Sequence, residues 1–243
     1  MFDDTAVSIL DYLLVALIFA VYVVRNYVRH RSMRDRMNSG EPGILMLEYK
    51  DTLIILWGGA FLVMTVWFLD DRPLADMGIL LGSSTAHLIG WGVVAALSLV
   101  LSAQVYAVGK NPKSAETVRT ALENEPGILR IMPKTDQEYS WFKALSVTAG
   151  ITEEIIFRGY LIWFFALWLP LWWAAAVALA FFVAAHLYQE SVRSLLKVAA
   201  IGAALTALYL LSGSLLAAIV LHSVVDLTSG ASVRRALHGT QAA

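Results

Sequence analysis

The sequence predicts an all-α protein, a polytopic bundle of membrane-spanning helices. Of its 243 residues, 58% are hydrophobic and only 15% are charged, whereas soluble domains are nearer half apolar and a quarter charged. The apolar residues fall in blocks long enough to cross a bilayer, which takes about 20 residues in a helix. Seven spans are predicted, at approximately residues 6–28, 52–69, 86–108, 143–169, 171–188, 195–211 and 215–229.

The fourth block is long for a single untilted span. It contains Gly150 and Gly159 and is followed by Pro170. A kink or a break near either glycine would divide the block and create an eighth, short helix. The sequence therefore predicts seven helices, or eight if the fourth block is divided.

The distribution of positive charge predicts how the bundle is oriented. Lysine and arginine collect in cytoplasmic connections, and here 16 of the 18 basic residues fall on alternate connections and the C-terminal tail. The two others are Arg72, in a short acidic connection, and Arg158, inside a span. This alternation predicts an N-terminus outside the membrane and a C-terminus in the cytoplasm.

The composition also excludes several kinds of chemistry. The chain contains no cysteine, which excludes thiol nucleophiles, cysteine-ligated zinc, iron–sulfur clusters and disulfides. The lipid bilayer is the expected environment, and no nucleic-acid partner is expected. Function must come from the remaining ionisable side chains.

Six ionisable residues lie inside the last four predicted spans. Each charge near the bilayer centre costs about 2.5–3.5 kcal/mol on insertion scales, so such residues indicate function. Glu154 and Arg158 are four positions apart, which predicts a pair on one helix face. Glu153 has no such partner and suits a general base. The six residues are Glu153, Glu154, Arg158, His186, His222 and Asp226.

The two histidines complete a candidate site. His186 ends the run that begins at Phe182, and His222 lies four residues before Asp226. An aspartate beside a histidine commonly fixes its tautomer. Taken singly, each residue also fits a polar bridge between helices. Because three helices place carboxylate and imidazole groups at overlapping depths near the cytoplasmic side, we predict one active site.

The order of these residues resembles the CPBP family. That family includes the CAAX prenyl endopeptidases and the bacterial Abi or bacteriocin self-immunity proteins. The motifs are Glu153-Glu154-Ile-Ile-Phe-Arg158, Phe182-Val-Ala-Ala-His186 and His222-Ser-Val-Val-Asp226. The resemblance divides the chain into an N-terminal three-helix region with cytoplasmic loops, a catalytic core and a cytoplasmic tail. These are residues 1–139, 140–231 and 232–243.

The resemblance implies an intramembrane endopeptidase with Glu153, His186, His222 and Asp226 as catalytic residues. Glu153 would activate water with help from His186, and the other two would support the water or the oxyanion. The family also has asparagine where this chain has Asp226, and an ionised aspartate cannot donate a hydrogen bond to an oxyanion. Glu154, Arg158 and Phe182 would be supporting residues.

Two mechanisms remain open at this point. In one, Glu153 and the histidines activate water without a metal. In the other, His186, His222 and a carboxylate bind Zn²⁺, which lowers the pKa of bound water. In either case the substrate would be a peptide or a membrane protein, with or without a prenyl group. It would enter from the cytoplasmic leaflet of the bacterial inner membrane.

Two other functions also fit the same residues. A non-catalytic membrane immunity or binding protein would keep the motifs for folding or binding. A proton-coupled transporter would use buried glutamate and histidine as an ion path. The acids lie in one cluster near one membrane face, which favours the protease over the transporter.

Overall fold

The computed structural model describes residues 7–80, 82–189 and 191–238, and within these ranges the chain forms helices and no strand. Helix α1 contains a π-helical segment, Phe19–Arg25, and α6 contains another, Glu154–Leu161. In chain order the helices are α1 (Ile9–Asn38), α2 (Ile44–Leu69), α3 (Thr85–Lys110), α4 (Pro112–Glu123), α5 (Pro126–Ile131), α6 (136–166), α7 (Leu171–Ala185), α8 (Val192–Ser212) and α9 (Leu215–His238).

Six of these helices, α1, α2, α3, α7, α8 and α9, are long and apolar enough to cross a bilayer. With the apolar composition they establish an integral membrane protein. The fourth predicted span corresponds to α6, which is not among the six because Glu153, Glu154 and Arg158 interrupt its apolar sequence. The count of seven spans and the predicted orientation stay predictions.

The helix α6 continues through both glycines at which a break was considered, so no eighth span is formed. It begins at a capping box made by Thr135 and Glu138. Gly150 allows α6 to approach α9 closely, since a Cβ atom there would lie 2.1 Å from Ser223 Oγ and 3.1 Å from the Ile219 carbonyl oxygen. The close approach, and not a kink, accounts for this glycine.

Helix α6, which carries several charged residues, is enclosed by its neighbours. Helix α6 packs against α2 on one side and α9 on another, and α7 covers its second half. The aromatic and aliphatic side chains from Ile156 to Phe164 are all at most 5% exposed. Polar groups on α6 are therefore shielded from lipid by the other helices, which makes it the natural position for a site. The buried apolar members are Ile156, Phe157, Tyr160, Leu161, Ile162, Trp163 and Phe164.

Asp11 on α1 forms a buried ion pair with the connection after α2 and accepts a hydrogen bond from α6. Arg72, in the connection after α2, donates to Asp11 from both Nη atoms at 2.8 and 2.6 Å, and to Asp70 at 2.5 Å. Tyr160 on α6 donates to Asp11 Oδ1 at 3.0 Å. Both Asp11 and Arg72 side chains are fully buried, and pairing offsets much of the cost of desolvating them.

The last helix extends further than predicted. The sequence assigns residues 215–229 to the span and 232–243 to a tail, yet α9 runs unbroken from Leu215 to His238. Residues 239–243 of that predicted tail lie outside the described residues. The helical part of the tail packs against α4, where Arg119 donates to the Ala236 carbonyl oxygen at 3.0 Å.

Candidate active site

Glu154 and Arg158 form the buried ion pair that their spacing predicts. Arg158 Nη1 donates to Glu154 Oε1 at 2.8 Å, and the residues are 0% and 1% exposed. Arg158 Nη2 also donates to the Gly202 carbonyl oxygen at 3.2 Å and Nε to Thr206 Oγ1 at 3.4 Å, both on α8. The guanidinium lies 4.1 Å from the centre of the Phe182 ring. The pair therefore joins α6 to α7 and α8.

His222 on α9 faces the same pair. Its Nδ1 lies 2.8 Å from Glu154 Oε1, so the ring donates to this carboxylate. Its Nε2 lies 4.0 Å from Glu153 Oε2 and 3.8 Å from Asp226 Oδ2, beyond hydrogen-bond distance. The structure thus brings these four residues together, but the partner that orients His222 is Glu154 and not the predicted Asp226.

His186 is held at the end of α7 by the backbone. The residue follows Ala185, the last residue of the helix, and its Nδ1 lies 2.8 Å from the Phe182 carbonyl oxygen. A donating Nδ1 leaves Nε2 as the lone-pair nitrogen of the neutral ring. The Phe182 ring lies 4.6 Å from the His186 ring and 6.4 Å from the His222 ring. Phe182 therefore packs between the two histidines and Arg158, as a supporting residue would.

A cavity of about 140 Å³ connects Glu153 and His186 to the first two helices. The volume is large enough for several water molecules. The Glu153 side chain is 14% exposed, unlike its neighbour Glu154. His222 and Asp226 are not among the residues that line this cavity. Residues from outside the predicted core also line the cavity. They include Tyr22, Arg25, Arg29, Glu48, Tyr49, Asp51 and Ile131.

Ion pairs between α1 and α2 form part of this cavity wall. Arg25 donates to Asp51 at 2.9 Å, and Arg29 lies 3.1 Å from both Asp51 and Glu48. In the sequence prediction, Arg25 lies near the end of the first span, 6–28. Arg29, Glu48 and Asp51 lie in the connection before the second span, 52–69. The signal that could have found them is the matched run of basic residues after α1 and acidic residues at the start of α2.

One comparison with known proteins gives a match for the part of the chain that carries these residues. Residues 136–228 match a protein-family model described as type II CAAX prenyl endopeptidase Rce1-like. We call residues 136–228 the Rce1-like domain, after the family model to which they are similar. No curated protein and no solved structure matches the chain. The matched region begins with the first residue of α6 and ends within α9.

The Rce1-like domain confirms the resemblance to the CPBP family that the three motifs predicted. The family is one of proteases, so protease activity in general is supported. Helices α1, α2 and α3 lie outside the match, although α1 and α2 supply much of the cavity wall. The site therefore extends beyond the domain boundary.

The side chains of the Rce1-like domain do not fit the zinc site that sequence analysis left open. In the described part of the chain, no group of three or more histidine, cysteine, aspartate or glutamate side chains is arranged to hold a metal ion. Zinc requires its ligands at about 2 Å from one point.

Glu125, outside the Rce1-like domain, holds the segment that follows His186. This residue is 3% exposed and precedes α5. It accepts a hydrogen bond from Ser194 Oγ at 2.9 Å, and Lys197 Nζ lies 3.7 Å away. Two residues later, a Cβ atom on Gly127 would lie 2.8 Å from the Gln189 carbonyl oxygen. The start of α5 therefore packs directly against the turn that follows His186.

These contacts predict a pH-dependent stabilisation. Hydrogen bonds from Ser191 and Ser194 hold the pKa of Glu125 below its ordinary value of 4.5. A carboxyl group whose pKa is lowered by folding stabilises the folded state at pH values above its ordinary pKa. This contribution is lost as the pH falls through the pKa of the folded state. Wild type is expected to be more stable than Glu125→Gln at pH 7, and the difference should shrink below about pH 4.5. Thermal unfolding of both proteins across this range measures it, and a difference that does not change with pH would contradict the assignment.

Proposed function

We propose that this chain is an intramembrane endopeptidase in which Glu153 activates a water molecule. The observation that carries the proposal is that Glu153 and His186 line one cavity while Glu154 is committed to Arg158 and His222. Glu153 is therefore the carboxylate of the pair that can meet water and a substrate. General-base groups need such access to the proton they remove.

The reaction follows from these positions. The Glu153 carboxylate removes a proton from water, and the water oxygen forms a bond to the carbon of the scissile carbonyl. The carbonyl electron pair moves to its oxygen, which gives a tetrahedral oxyanion. When the carbonyl re-forms, the carbon–nitrogen bond breaks, and the leaving nitrogen takes the proton from Glu153. In this proposal, His186 Nε2 accepts a hydrogen bond from the water.

His222 and Asp226 support this step from the far side of Glu153. His222 is fixed by Glu154, and its Nε2 lies between the Glu153 and Asp226 carboxylates, about equally distant from each. In its protonated form, the imidazole in this position attracts both carboxylates and so orients Glu153. The substrate is a peptide or a membrane protein, with or without a prenyl group, that enters from the cytoplasmic leaflet. The bacterial inner membrane is the proposed location.

The test compares peptide termini in membranes that contain wild type, Glu153→Gln or Glu123→Gln at equal abundance. Glu123 is an exposed carboxylate at the end of α4 and serves as the matched control. New termini are expected with wild type and with Glu123→Gln and to be lost with Glu153→Gln. If a folded Glu153→Gln protein gives the same termini as wild type, the catalytic proposal fails, and the motifs serve binding or folding alone.

A further inference from the structure

The proposed hydrolysis leaves one requirement unmet, a neutral donor for the oxyanion. Preorganised hydrogen-bond donors at this position supply much of the rate enhancement in acyl transfer. Asp226 can only accept when ionised. The Arg158 guanidinium is directed to Glu154, Gly202 and Thr206, and His222 Nδ1 donates to Glu154.

Several other donors in the cavity wall are already paired with protein acceptors. Tyr22 donates to the Ile55 carbonyl oxygen at 3.1 Å, and Tyr49 donates to the Ile131 carbonyl oxygen at 2.6 Å. Arg25 and Arg29 face the carboxylates of α2. A substrate oxygen would have to displace these partners, which makes the four residues poor candidates for the donor.

Tyr188 differs from these residues in its position. It lies in the 3-10 turn Leu187–Gln189, directly after His186, and lines the same cavity as Glu153 and His186. Its ring lies 5.8 Å from the His186 ring at 30°, and 5.7 Å from the His30 ring. The phenol contacts the Gln189 side chain on the same turn. Tyr188 thus lies beside His186 on the cavity wall that also carries Glu153.

We propose that Tyr188 is a further catalytic residue, whose hydroxyl donates a hydrogen bond to the oxyanion of the tetrahedral intermediate. The proposal rests on the proposed function and deepens it. The phenol keeps its proton throughout, so the proton transfers remain between water, Glu153 and the leaving nitrogen. Tyr188 provides the neutral donor that Asp226 lacks. The close approach of Gly127 to the Gln189 carbonyl oxygen helps to hold the backbone of this turn.

The test measures hydrolysis of a quenched fluorescent peptide. The peptide spans a cleavage site that the comparison of peptide termini assigns to the active protein. Tyr188→Phe is expected to lower kcat about 10²- to 10³-fold, as loss of one oxyanion donor does elsewhere, with KM nearly unchanged. The phenylalanine ring keeps the contacts with His186 and His30, so thermal unfolding should match wild type. Tyr106, on α3, is 63% exposed. Tyr106→Phe is the matched control and should retain full activity.

A second measurement separates transition-state binding from substrate binding. A phosphinate analogue of the same peptide mimics the tetrahedral oxyanion, and Tyr188→Phe should weaken its binding by the same factor as kcat/KM. A Tyr188→Phe protein with wild-type kcat, or one with only a raised KM, would overturn the assignment. Glu153→Gln is measured in the same assay. If it stays active, the proposed function fails; if it alone is inactive, only the role of Tyr188 fails.

Discussion

Arg158→Met is expected to lower the free energy of unfolding by about 3–5 kcal/mol, the usual cost of removing one partner from a buried ion pair. Methionine keeps a similar length and an apolar stem, so the change is chiefly the loss of charge and of donors. Glu154, with no exposed surface, would then lack its cation. Denaturant unfolding in detergent micelles measures the effect. Lys113→Met, at an exposed position on α4, should change stability by less than about 0.5 kcal/mol.

The double variant Glu154→Gln with Arg158→Met separates neutralisation from packing. Removing both charges leaves no unpaired buried ion, so most of the lost stability should return. If the double variant is as unstable as Arg158→Met alone, the contacts of the guanidinium with Gly202, Thr206 and the Phe182 ring account for its contribution. In that case the ion-pair explanation is wrong.

Local spacing predicted part of this network and could not predict the rest. Glu154 and Arg158 are four residues apart, and such a pair meets on any helix. The partners of Arg158 on α8 lie 44 and 48 residues further along the chain. No periodicity in either segment states that these two helices become neighbours, so this half of the network required the structure.

The orientation of His222 shows the same limit. The sequence offered Asp226 as its partner because four residues place both on one face of α9. The structure has Glu154 at 2.8 Å, 68 residues earlier in the chain. Spacing identifies a shared face, but a hydrogen bond also needs the correct distance and direction. A carboxylate on a facing helix met that requirement better than one on the same helix.

The walls of the cavity were the least predictable part. Hydropathy identified α1 and α2 as spans and the charges at their ends as loop residues. Hydropathy could not show that Tyr22, Arg25 and Asp51 line the same cavity as Glu153. Composition determines which helices are apolar, whereas helix neighbours depend on close contacts such as Gly150 against Ser223. The proposed catalytic carboxylate, Glu153, could be singled out from the sequence because an unpaired acid within an apolar span is costly.

That cost underlies the last prediction, in which Glu153→Gln should separate activity from stability. Turnover of the cleavage-site peptide is expected to fall about 10²- to 10⁴-fold, the typical contribution of a general base. The amide keeps the shape of the side chain but cannot take up a proton. The free energy of unfolding should stay equal or rise, because functional groups often reduce stability where they stand. Rates and thermal unfolding are measured on one preparation of each protein.

The shorter variant Glu153→Asp refines this result. Its carboxylate remains but is withdrawn from the cavity by one methylene group, so it should retain more activity than Glu153→Gln and less than wild type. A Glu153→Gln protein that loses stability and activity together would contradict the prediction and make Glu153 a structural partner of His222, 4.0 Å away. Glu154, the adjacent acid, already holds that structural position at 2.8 Å. Under the proposed function, two neighbouring glutamates with different surroundings take different roles, one in the fold and one in the reaction.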